Sequence, residues 1–248
     1  MPSILKALPA FQPNARRFLA MSFLLAFAQS VFNLVFNLYI LKLGYNRDFL
    51  GSLGALPALT VAALVIPLAI MCSKVSARKT LLASLGLALA SMAGLSLLPD
   101  RTALLFFSAL SGASGAFFSI TAYPLMARSS TQAERQDLFS FQFAVSMMAS
   151  FAGSLAAGWL TKLGAALLSG GEESAISYRL TMLAACALIA AAAWPAFRIQ
   201  EAAAPREPGK GVFDGIKHGH ALIVFAPQLI IGFGAGMIMP YLNIFFKS

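Results

Sequence analysis

Seven apolar stretches fill most of this 248-residue chain, and each is long enough to cross a lipid bilayer. They run over residues 18–41, 49–72, 80–98, 103–126, 138–160, 180–197 and 221–246. About 20 apolar residues wound as a helix cover a hydrocarbon core of about 30 Å. A helix lying against water carries a single apolar stripe. These stretches are apolar on all sides, and none holds an Asp, Glu, Lys or Arg in its interior. At that depth no water is present, so the backbone satisfies itself as helix or as closed barrel. Stretches of this length without strict alternation are helices. The expected fold is an all-α, polytopic membrane helix bundle.

The basic residues orient the bundle, because Lys and Arg accumulate in cytoplasmic loops while acids matter little. With the N-terminus inside, the cytoplasmic segments hold Lys6, Arg16, Arg17, Lys74, Arg78, Lys79, Arg128, Arg135, Arg198, Arg206, Lys210 and Lys217, twelve of the eighteen basic residues. The outer loops hold Lys42, Arg47, Arg101, Lys162, Arg179 and Lys247. The expected topology is therefore N-terminus in.

The chain is 59% apolar and 11% charged, with a net charge of +9. In a soluble protein that charge would point to nucleic acid. Here the basic residues sit at membrane borders, where the orientation rule and anionic lipid account for them. No nucleic-acid partner is expected. Cys72 lies at a helix end and Cys186 inside the sixth span, which is no disulfide framework. Ala26-Phe27-Ala28 has the small-x-small look of a signal-peptidase site. The apolar stretch continues past it to Leu41, so a retained first helix is the expectation.

The loops are short with one exception. Gly44-Tyr45-Asn46-Arg47-Asp48 and Pro99-Asp100-Arg101-Thr102 are tight turns built on Gly, Asn, Asp and Pro. Residues 198–220 form a long polar, Pro/Gly-rich linker. It sets the expected organisation: a cytoplasmic segment 1–17, a six-helix bundle 18–197, a cytoplasmic linker 198–220, and a seventh helix at 221–248 that begins a new block. Phe36-Asn37-Leu38-Tyr39-Ile40 in the first span has a counterpart in Leu242-Asn243-Ile244-Phe245-Phe246 of the seventh.

Six spans, a cytoplasmic linker and a restart resemble the major facilitator superfamily of secondary transporters, whose two six-helix halves are related by an axis along the membrane normal. The family's loop motif between helices 2 and 3, Gly-x-x-x-Asp-Arg-x-Gly-Arg-Arg, meets Ala69-Ile70-Met71-Cys72-Ser73-Lys74-Val75-Ser76-Ala77-Arg78-Lys79. Lys74 and Arg78 match, Lys79 adds charge, Ser73 replaces the acid, and small residues replace the glycines. The antiporter motif of the fifth helix, Gly-x-x-x-Gly-Pro-x-x-Gly-Gly, meets the run from Ala149 to Gly158, where the small residues survive and the Pro does not. On the fourth helix the antiporters carry an Arg four residues before a Gly; before Gly112 stands Ser108. The resemblance implies that the chain is the N-terminal half of a transporter plus the first helix of its missing second half. It also implies a gating role for Lys74, Arg78 and Lys79.

Several polar residues inside the spans are candidates for contact with a substrate. Gln29, Asn33 and Asn37 recur every four residues and form one drifting stripe on the first helix. Intramembrane amides face protein or a water-filled cavity, so they either line the pathway or bond neighbouring helices. Gln142, Ser146 and Ser150 repeat the spacing on the fifth span, and Ser119 with Tyr123 share a face of the fourth. Asn243 would pair with Asn37 across a central opening. Ala149, Gly153 and Ala157, and next to them Ser150, Ser154 and Gly158, form seams that let helices approach closely. Gly232-Phe233-Gly234-Ala235-Gly236 with Pro240 either bends the seventh helix or packs it.

His218 and His220 lack a third ligand, so no metal is expected. No nucleophile, phosphate loop or Cys/His cluster points to an enzyme or a cofactor. The expected function is secondary transport of a small molecule by alternating access, in a multi-pass protein of a bacterial inner membrane. Its expected partners are the substrate, the lipid bilayer and the second half. The alternative is a self-contained seven-helix receptor or sensor, which the basic-residue bias opposes.

Overall fold

A computed structural model describes residues 11–72, 75–132, 134–168, 174–200 and 232. The chain divides into two units, Met1–Ala202 and Ala203–Ser248. The first holds six helices: α1 (Pro13–Lys42), α2 (Arg47–Cys72), α3 (Ala77–Leu97), α4 (Arg101–Arg128), α5 (Arg135–Leu168) and α6 (Ala175–Phe197). Among the described residues no strand occurs. Each helix is long and apolar enough to cross a membrane, with mean hydropathy between 1.4 and 2.3 over its most apolar window. The seventh span, apart from Gly232, and most of the linker lie outside the described residues.

The helix ends follow local chemistry. Pro13 opens α1, where a missing N–H costs nothing. Asp100 caps α4 by accepting from the Thr102 and Ala103 amides at 3.0 and 3.2 Å. Before α5, Thr131 and Glu134 cap reciprocally: the Thr131 hydroxyl accepts from the Glu134 amide, and the Glu134 carboxylate accepts from Thr131. Gly44 ends the turn after α1 at φ 89°, a conformation that favours glycine.

Three helices run at least five residues further than the apolar stretches at one end. Helix α1 begins at Pro13 rather than residue 18, α5 continues to Leu168 rather than stopping at 160, and α6 begins at Ala175 rather than 180. Arg16, Arg17, Lys162 and Arg179 thus lie within helices. Helical hydrogen bonding does not stop where the hydrocarbon does, and long basic side chains reach the interface from helix ends.

The packing has an internal symmetry. Helix α1 packs on α5 and α6, while α4 packs on α2 and α3. The first helix of each triplet therefore nests in the last two of the other, and α3 meets α6 between them. This is the pattern of a three-plus-three inverted repeat. Burial is uneven: 56% of the apolar window of α3 is buried within the bundle, 50% of α1, 17% of α5 and none of α2.

Candidate functional site

The α1 stripe divides. Gln29 and Asn33, midway along the helix, are exposed and make no side-chain hydrogen bond to a described residue. Asn37 is half-buried and has a partner. The opposite face of α1 is core: Ala28 and Val31 are fully buried, and Val35 is nearly so. In a helix of mean hydropathy 1.9, two bare amides on the uncovered face are the most polar feature at mid-depth.

The other candidates gather on α4 and α5. Tyr123 is exposed, and its ring stacks on Phe139 of α5 with centroids 6.3 Å apart and planes 7° from parallel. Gln142 donates to Ser146 at 3.1 Å, both half-buried, so this amide meets part of its demand within its own helix. Ser119 donates to the Gly115 carbonyl at 2.5 Å and is likewise satisfied locally.

The serine stripe on α5 does not act as one surface. At the α1/α5 crossing Ser30 donates to the Ser150 carbonyl at 2.6 Å and lies 2.8 Å from the Ser154 hydroxyl. Ser150 belongs to this helix crossing, whereas Gln142 and Ser146 lie before it. The neighbouring seam is tight, as its spacing predicts: Ala149 and Ala157 are fully buried, and a Cβ on Gly153 would sit 2.5 Å from the Phe27 carbonyl oxygen. At the α2/α4 crossing, Gly112 faces the Pro57 backbone closely enough that a Cβ would collide with it. There Ser108, at the place of the antiporters' Arg, is buried and donates to the Leu53 carbonyl at 2.7 Å.

Arg78 is turned toward its own bundle, with its guanidinium carbon 5.9 Å from the Phe197 ring of α6. Lys79 is exposed at the start of α3, its amide bonded to the Ser76 cap. Lys74, Asn243, His218 and His220 lie outside the described residues. Among those described, no group of three or more His, Cys, Asp or Glu is placed to hold a metal.

Sequence reasoning passed over one polar network. Arg179 of α6 donates to the Tyr39 hydroxyl at 3.1 Å, and Tyr39 donates to the Ser96 carbonyl at 3.1 Å. Tyr39 is fully buried, so α1, α3 and α6 are tied together near one end. The Arg179 Nε is buried without a hydrogen-bond partner. The available signal was an Arg four residues into a helix that the hydropathy pattern begins one residue later.

The geometry is thus a six-helix bundle with an internal inverted repeat, polar groups on the uncovered face of α1, and tight glycine crossings behind them. The sequence matches the Major Facilitator Superfamily over residues 18–248. The chain belongs to that superfamily. No curated protein matches it closely. As a superfamily member it is a secondary transporter and an integral, multi-pass membrane protein, which sets aside the receptor alternative. The three-plus-three arrangement is the one expected inside one half of such a transporter.

Proposed function

We propose that the protein moves a small molecule by alternating access, with the uncovered face of α1 forming one wall of the pathway. The six-helix bundle is then one of the two halves that rock against each other in such transporters, in a bacterial inner membrane with the N-terminus inside. The observation that carries this reading is the pair of exposed amides at Gln29 and Asn33, which have no side-chain partner among the described residues. Lipid cannot satisfy their donors and acceptors, whereas a hydrated cavity or a polar substrate can. Tyr123, Gln142 and Ser146 extend the wall along α4 and α5, and Asn37 continues it along α1. The helices hold no carboxylate at mid-depth. The wall therefore meets its substrate through neutral hydrogen-bonding groups.

The test is water accessibility. Single cysteines replace Gln29, Asn33 and Val31 in a chain freed of Cys72 and Cys186, and a small hydrophilic thiol reagent is applied in membranes. Reaction at positions 29 and 33, slowed by substrate, with none at the buried Val31 position, is the expected result. Silence at both amide positions places them against lipid or protein and ends the cavity reading. Orientation is tested separately with cysteines at Ser169 and Gly209: in intact cells an impermeant reagent reaches Ser169 only, and the reverse overturns the N-inside topology.

A further inference from the structure

Two guanidinium groups stand over aromatic rings at the corner where α3 begins and α6 ends. Arg78 lies 5.9 Å from the Phe197 ring centroid and Arg198 lies 4.4 Å from that of Trp194. Both rings are open to the surroundings, Trp194 at 65% and Phe197 at 52% exposure. Neither α3 nor α6 contains an Asp or Glu, and neither Arg has a carboxylate partner among the described residues.

The corner is held in place. The Asn14 side chain grips the Gln200 backbone with two bonds, donating to its carbonyl at 2.8 Å and accepting from its amide at 3.0 Å. Ile199 is 1% exposed. The turn that carries Arg198 is therefore docked on the start of α1. The Ser76 cap fixes the start of α3, two residues before Arg78.

We propose that this corner binds the headgroup of an anionic phospholipid. A guanidinium held near a ring, with no carboxylate on it, has N–H groups left to donate, and their fork matches phosphate. An exposed Trp at the end of a membrane span lies at headgroup depth. Away from the corner the exposed surface is smooth, with Gly86 and Ala90 on α3 and Ala187 and Ala191 on α6, which leaves room for acyl chains alongside. A soluble anion would gain nothing from these rings and small residues, so the charge and the apolar surface together fit a lipid.

The site is tested by Trp194 fluorescence in the full chain carrying Trp159→Phe, reconstituted in nanodiscs of phosphatidylcholine. Brominated phosphatidylglycerol and brominated phosphatidylcholine are compared at equal mole fraction. Quenching is expected to favour phosphatidylglycerol. Each of Arg78→Gln and Arg198→Gln is expected to lower that preference roughly fivefold. High salt should weaken it in the unsubstituted protein, because exposed charges are screened. Equal quenching by the two lipids overturns the site, as does a preference that survives both substitutions or high salt. The readout does not involve transport, so it stands or falls independently of the cavity.

Discussion

The two helix crossings that hold the inverted repeat together, α2 on α4 and α1 on α5, use the same element differently. Each places a glycine against a neighbouring backbone: Gly112 on Pro57, and Gly153 on Phe27. Each adds a serine hydroxyl aimed at a carbonyl across the crossing: Ser108 to Leu53, and Ser30 to Ser150. The difference lies in what the carbonyl would do without the serine. Pro57 has no N–H, so the Leu53 carbonyl four residues earlier has lost its helical partner. Ser108 replaces that bond from another helix. The Ser150 carbonyl accepts from the Ser154 hydroxyl at 3.0 Å as well as from Ser30. One crossing repairs a defect in a helix; the other adds a bond to a carbonyl already supplied. Where water is absent, the repair is worth more.

The largest expected effect sharpens the feature the crossings share. Gly112→Ala sets a methyl against the Pro57 backbone and the Thr60 side chain, and backbone cannot turn aside. Overpacking of this kind costs about 1–3 kcal/mol, and this site should lie at the upper end. Gly153→Ala meets the Phe27 carbonyl oxygen at 2.5 Å but otherwise the Ser30 Cβ at 3.0 Å, so its loss should be smaller. Equilibrium unfolding of the full chain in mixed micelles measures both. Equal losses would show that the two contacts are equally able to give.

Next in size is Ser108→Ala. It leaves a buried carbonyl without a donor, which costs about 1–3 kcal/mol. The comparison breaks cleanly in the double variant. Pro57→Ala returns an N–H to the helix, and the Leu53 carbonyl regains its own partner. Ser108→Ala should then cost less in that background, with a coupling of roughly 1 kcal/mol. Additive losses would mean that the serine does not stand in for the missing amide.

The six spans were legible because length and all-round apolarity leave one solution in a bilayer. The small-residue seam at Ala149, Gly153 and Ala157 was legible for a similar reason, since only a close neighbour explains small residues every four positions. The role of Ser108 was not. From sequence it was the absence of an antiporter arginine, and its bond appears only once α4 is known to cross α2 at Pro57. The ends of α1, α5 and α6 were missed because hydropathy reports the hydrocarbon and not the helix. The Tyr39–Arg179 tie was missed because a lone Arg at a span border reads as an orientation signal. Gln29 and Asn33 were picked out by type and spacing, but which face of α1 stays uncovered is decided by α5 and α6.

The smallest expected effect is at Ser30, and it tests the comparison from the other side. Its hydroxyl lies within reach of two acceptors, the Ser150 carbonyl at 2.6 Å and the Ser154 hydroxyl at 2.8 Å. When Ser30→Ala removes it, the Ser154 hydroxyl still serves the Ser150 carbonyl, and no buried group is orphaned. The loss should match an ordinary hydrogen bond between membrane helices, about 0.6 kcal/mol. The alanine is also smaller than serine, so the close approach of Gly153 to Phe27 is undisturbed. Measured in the same unfolding assay, Ser30→Ala should therefore cost less than Ser108→Ala. The reverse order would mean that the serine cluster, and not the repaired proline helix, is the stronger tie between the two triplets.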